Sequence, residues 1–214
     1  MSRMRSVGLV LLASLVAAPL AAQRGLREVQ QWGTGGLEFD FAVPWGVMSQ
    51  FVDYAGGMDA FMAFDAGRGS PLALRLEGGL LVHQLSYDDH NSSMSYIGSF
   101  RLGPQMTVGP DGFRIYALAL AGPSYFGTTI SEYDCSCSSG STTLSGDWTM
   151  GMEAGGGLMF GKRTRLDLGV RLVRHEDARY LAWSPGANGS DVYTQVRGPA
   201  EYVVFKVGIT MAMR

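Results

Sequence analysis

The sequence predicts an all-β fold, an eight-stranded antiparallel up-and-down transmembrane β-barrel, and three observations carry that prediction. In the last strand-like run, Val203, Phe205, Val207, Ile209 and Met211 share one face, while Val204, Lys206, Gly208, Thr210 and Ala212 share the other. A period of two with one apolar face describes a strand between two different environments. The same alternation recurs behind a secretory leader. Charged residues make up 17% of the chain against a soluble norm of about 25%, and Gly reaches 30 of 214 residues, about twice its usual share.

The leader fixes the compartment. Arg3 and Arg5 precede an apolar stretch from Val7 to Ala18, and Pro19, Leu20, Ala21 and Ala22 supply the small-residue exit. Residues 1–22 therefore read as a signal peptide for Sec export, cleaved near Ala22. The stretch is short for a spanning helix, which needs ~20 apolar residues. Residues 23–35, polar and Gly-bearing, read as a periplasmic lead-in, and 36–214 as the barrel.

The first strand sets Leu37, Phe39, Phe41, Val43 and Trp45 against Glu38, Asp40 and Ala42. The second, around Met58 to Ala66, is the weakest, because Phe61, Met62 and Phe64 do not keep to one face. In the third, Leu72, Leu74, Leu76, Leu80 and Val82 oppose Arg75, Glu77, Gly79 and His83. The fourth sets Met94, Tyr96, Phe100, Leu102 and Met106 against Ser95, Ser99, Arg101, Gly103 and Gln105. In the fifth, Phe113, Ile115, Ala117, Ala119 and Tyr125 oppose Arg114 and Tyr116, although Leu118 and Leu120 blur the polar face. The sixth opposes Trp148, Met150, Met152, Leu158 and Phe160 to Glu153, Gly155 and Gly157. The seventh opposes Leu166, Leu168, Val170 and Leu172 to Asp167, Gly169 and Arg171, and the run ending at Ala212 is the eighth.

Tight connections at Gly67 to Pro71, Gly109 to Gly112 and Gly161 to Thr164 alternate with longer polar segments at Asp88 to Ser93, Thr128 to Asp147 and Ser184 to Tyr193. Outer-membrane barrels have short periplasmic turns and longer outside loops, so this order predicts periplasmic termini and extracellular longer segments. A secreted soluble barrel would turn its apolar face inward. Two features oppose that: glycines such as Gly79, Gly155 and Gly208 on the polar face suit a crowded lumen, and Trp45, Phe113, Tyr125, Trp148 and Phe160 lie near strand ends as interfacial girdles do.

On this pattern the mature chain resembles the small outer-membrane β-barrel family of the OmpA/OmpX type. The resemblance implies integral residence in a bacterial outer membrane, contact with its lipids and lipopolysaccharide, and assembly by the barrel assembly machinery. Family members commonly end in an aromatic residue that the machinery recognises, whereas this chain ends Met211-Ala212-Met213-Arg214.

The polar face carries Glu38, Asp40, Glu77, Glu153 and Asp167 with Arg75, Arg101, Arg114, Arg171 and Lys206. Unpaired, these charges would each cost several kcal/mol in a lumen, so near-matched signs predict ion pairs. The set reads as a salt-bridged filling, because about eight strands enclose only side chains. The alternative is a narrow passive channel for ions or small solutes.

Cys135-Ser136-Cys137 reads as a strained loop disulfide in an oxidising compartment, with a free pair as the alternative. His83, Ser86, Asp88, Asp89 and His90 offer the residue types of a lipid-modifying enzyme, but they match no such motif, and His83 and Ser86 have opposite strand parity. No motif requires a metal or other cofactor, and a net charge of −2 leaves no basic footprint for nucleic acid. The expected role is structural or surface-interactive, with the longer loops meeting an extracellular ligand; enzymatic lipid modification is the remoter alternative.

Overall fold

A computed structural model describes residues 32–67, 69–87, 91–133, 139–185 and 191–213. The predicted signal peptide, Arg24 to Gln31, Asp88 to His90 and the Cys135/Cys137 pair lie outside the described residues.

The chain forms β1 (Gly33–Trp45), a single 3-10 turn (Met48–Gln50), β2 (Ala55–Asp65), β3 (Leu72–Tyr87), β4 (Asn91–Val108), β5 (Gly112–Tyr133), β6 (Ser139–Gly161), β7 (Thr164–Pro185) and β8 (Asp191–Met213). Each strand pairs antiparallel with its sequence neighbours, and β1 pairs with β8 from Gly33↔Met213 to Trp45↔Glu201, closing the barrel. Closure leaves β1 and β8 with no free edge along their paired length, as a lipid environment requires.

The burial pattern is inverted relative to a soluble barrel. Along β1, Glu38, Asp40 and Ala42 are buried while Leu37, Phe39, Phe41, Val43 and Trp45 are exposed. The same inversion holds along β7, where Arg165, Asp167 and Arg171 are buried and Leu166, Leu168, Val170 and Leu172 face outward. Aromatic rings mark both limits of the apolar belt. At the end carrying Trp32 and Met213, Trp32 stacks on Phe64 and Phe113 packs on Phe160; at the far end, Tyr125 packs between Tyr96 and Trp148.

Three expectations change. The barrel begins at Gly33 rather than residue 36, because Gly33 to Gly35 already pair with both β2 and β8. The second strand keeps regular parity: Phe61 is buried in the lumen, and Met62 and Phe64 face out. The described residues of the polar segments 88–93, 128–147 and 184–193 are strand, with β5 and β6 paired up to Tyr133↔Ser139 and β7 and β8 up to Pro185↔Asp191. Strands that leave the apolar belt need no apolar face, so an alternation signal based on hydrophobicity stops at the belt while Thr, Ser and Tyr continue the ladder. Among the described residues, no helix is long and apolar enough to cross a membrane.

Candidate functional site

The inward parity of β1, β2, β3, β4, β6, β7 and β8 brings the predicted charges together in mid-lumen. Arg75 is fully buried; its Nη2 donates to both Glu38 oxygens at 2.9 Å, its Nε to Glu77 Oε2 at 2.8 Å, and its Nη1 to Gln105 Oε1 at 3.3 Å. Its guanidinium also lies 3.4 Å from the centroid of the Phe61 ring. That contact explains why an aromatic residue occupies a charged face, since a desolvated guanidinium is favoured over a ring.

Arg171 joins the opposite wall to the same cluster. Its Nη1 donates to Glu153 Oε1 at 2.6 Å, and it lies 3.6 Å from both Glu38 and Glu77. Arg101 takes the other oxygen of Glu153. Tyr116 accepts a hydrogen bond from Arg171 at 3.2 Å and donates one to Asp167 at 2.9 Å, which links Asp167 to the network through a phenol. Lys206 pairs with Asp59, lies 3.1 Å from Asp40, 3.3 Å from Glu77 and 3.5 Å from Glu38.

Of the predicted set, Arg114 stands apart. It follows the turn at Asp111 by three residues and pairs with that residue at 3.3 Å, with its side chain partly exposed at the barrel rim. Its place two residues into β5 puts it at the end of the barrel, below the network. Asp59 is the member that sequence reading missed, because Phe61 on the same face obscured the parity of β2. Glu38, Asp59 and Glu77 bring carboxylate oxygens within 4.8 Å of one another. The cations facing these oxygens are the chain's own Arg75, Arg171 and Lys206.

Glycines make room for this filling. A methyl at Gly79 would overlap Asp59 Oδ1, and methyls at Gly157 and Gly169 would meet the Tyr116 hydroxyl at 2.6 and 2.7 Å. Toward the end carrying the termini, Tyr116, Leu118, Leu120 and Met159 form a small apolar cluster inside the barrel, so the leucines that blurred the polar face of β5 are lumen packing.

The far half of the lumen is different in kind. Its wall is largely apolar, including Leu81, Ile97, Phe126, Val173, Tyr202 and Val204, with Ser95 and Thr128 hydrogen-bonded to each other among them. The segment joining β1 to β2 folds into it, burying Met48 and Val52 to 1% and 5% exposure, and Phe51 packs on Tyr180 with ring centroids 6.4 Å apart. Between this chamber and the charges, His175 Nε2 and Ser124 Oγ lie 2.9 Å apart, and the His175 ring meets Phe126 edge-on. His83, from the set weighed for lipid modification, is buried on the lumen face. Beyond the belt, Arg197 donates two hydrogen bonds to the exposed Asp177, holding that carboxyl below the usual range.

A closed antiparallel barrel of eight strands, apolar outside and ion-paired inside, has the architecture of the small outer-membrane barrels of the OmpA/OmpX type. Among solved structures, the chain is similar to the attachment invasion locus protein Ail of Yersinia pestis, at 10% identity and a TM-score of 0.47 over 84% of this chain and 97% of that one. It is also similar to Neisserial surface protein A, at 10% identity and 0.48 over 87% and 100%. A major outer membrane protein from Thermus thermophilus matches at 10% identity and 0.49 over 83% and 98%. No family model matches the sequence, and neither does any curated protein.

Proposed function

We propose that this chain is an integral protein of a bacterial outer membrane, exported through the Sec pathway, whose closed barrel holds polar strands at the cell surface for contact with an extracellular partner. The observation that carries the reading is the double closure of the lumen. Arg75, Arg171 and Lys206 bridge carboxylates from several walls at mid-height, and Met48 and Val52 fill the far end. Interior charges paired this densely support a closed lumen, since separating them would leave buried ions unpaired. The apolar belt supports contact with outer-membrane lipids and lipopolysaccharide, and assembly of such a barrel calls on the barrel assembly machinery. The far-end strands continue beyond the belt as polar ladders, which supports a surface role.

An epitope inserted between Pro185 and Asp191 tests the reading. Antibody should reach it on intact cells, and proteoliposomes holding the protein should swell in small sugars no faster than empty ones. An epitope reached only after lysis would overturn the surface assignment, and rapid swelling would favour the passive channel instead.

A further inference from the structure

The outer chamber is largely apolar beside a mid-lumen network of ion pairs, and this contrast asks for a cause. Filling a barrel with ion pairs suffices to close it, as the middle of this one demonstrates. An apolar wall drawn from strands around the barrel, including Leu81, Ile97, Phe126, Val173 and Val204, is what an apolar guest requires. The present occupant is the chain's own β1–β2 segment, and its hold is weak in kind. Among the described residues, the backbone hydrogen bonds of its turn close within the segment, from Gln50 to Val47 and from Phe51 and Val52 to Met48, and Ser49 bonds Gly46. What ties it to the wall is the packing of Met48, Val52 and Phe51.

Two further observations point to a ligand with a polar head. Tyr180 Oη, beside Phe51, and His83 Nδ1 are buried and have no hydrogen-bond partner among the described residues. Buried polar atoms left so are costly and are usually satisfied in the working state. The seam between β6 and β7 is where a side route would lie. The ladder between β6 and β7 ends at Gly151↔His175 although both strands run on, and above that pair they are bridged by the half-exposed ion pair of Arg179 and Asp147 at 3.6 Å. This seam lies level with Trp148, at the outer limit of the belt, where lipid tails meet headgroups.

We infer that the outer chamber is a binding site for a single-tailed amphiphile with a hydrogen-bond-accepting head, of the fatty-acid class, and that the β1–β2 segment is a displaceable plug standing in for it. The tail takes the space that the displaced segment now fills, Met48, Phe51 and Val52 included, the head accepts from Tyr180, and the seam between β6 and β7 admits the ligand from the outer leaflet. The site is independent of what the surface strands bind, and a conducting barrel would sink the closed-lumen reading without altering the outcome below.

The test is photolabelling of the full mature protein in phosphatidylcholine nanodiscs with a palmitate carrying a diazirine on its tail, mapped residue by residue by mass spectrometry. Wild-type protein should be labelled on lumen-facing positions such as Ile97, Phe126 and Val204, and excess unlabelled palmitate should remove that label. A Met48→Ala/Val52→Ala variant, with a weaker competing plug, should raise lumen labelling by ~10-fold. Label confined to outward positions such as Phe205 and Leu172, or lumen label that the plug variant leaves unchanged, would overturn the inference. Should the double variant lose heat-modifiable mobility, the wild-type map and its competition by palmitate decide alone.

Discussion

Gly79 and Gly98 sit on neighbouring strands and have opposite surroundings. A Cβ at Gly79 would collide with the Asp59 carboxylate that Lys206 holds, whereas nothing lies within 4 Å of a Cβ at Gly98. Gly79→Ala should therefore destabilise the folded barrel by about 1–3 kcal/mol through overpacking, while Gly98→Ala should be neutral or slightly stabilising. Urea titration of refolding in lipid vesicles reads both, and equal midpoints for the two variants would contradict the account of the lumen. Lys206 offers a sharper case. It is the cation shared by Asp40, Asp59 and Glu77, so Lys206→Met should cost about 3–5 kcal/mol by leaving buried carboxylates unmatched, and adding Asp59→Asn should restore part of that loss. Additive losses in that double-mutant cycle would mean the pair is uncoupled.

At the scale of elements, the belt-crossing strands were legible and the segments beyond the belt were not. Alternation found β1, β3 and β8 because lipid on one side and charge on the other impose a period of two. β2 was faint because Phe61 faces inward under the Arg75 guanidinium, a placement that only the neighbouring strand explains. The outer ends of β5 to β8 read as loops because their sequences there are rich in Ser, Thr, Gly and Asp and lack an apolar alternation. The plug was illegible for another reason: Gly46 to Tyr54 has no periodicity, and its burial depends on a chamber assembled from distant strands. Met48→Ala should leave the barrel closed but free the segment, costing roughly 2 kcal/mol, the low end for a buried Met in a segment that can re-collapse. Chymotrypsin should then cut at Phe51 or Tyr54 in the folded variant and spare the wild type. Identical digestion patterns would show that Met48 is no anchor.

For the whole molecule, polarity inverted between wall faces is the property from which the rest follows. Phe205 sits mid-belt between Phe41 and Val170, half-exposed, one residue from buried Lys206. Phe205→Arg should cost about 2–4 kcal/mol in a bilayer, as lipid-facing cations do near the midplane. In a soluble barrel the same change would be nearly free. The predicted lumen charges were largely legible because a strand's parity assigns each to a face before any contact is known. Their actual pairing was not, since Arg75 with Glu38 and Arg101 with Glu153 meet across strands only once the register is set. Arg114 kept its face, but its height in the barrel pairs it with Asp111 at the rim instead of with the network.

A closed lumen makes a direct prediction for single-channel recording of the refolded mature protein in planar bilayers, with heat-modifiable gel mobility as proof of folding. The ion-paired middle and the plugged outer end predict a folded protein that inserts and stays silent. Steady conductance that rises with salt, from a sample shown to be folded, would contradict it.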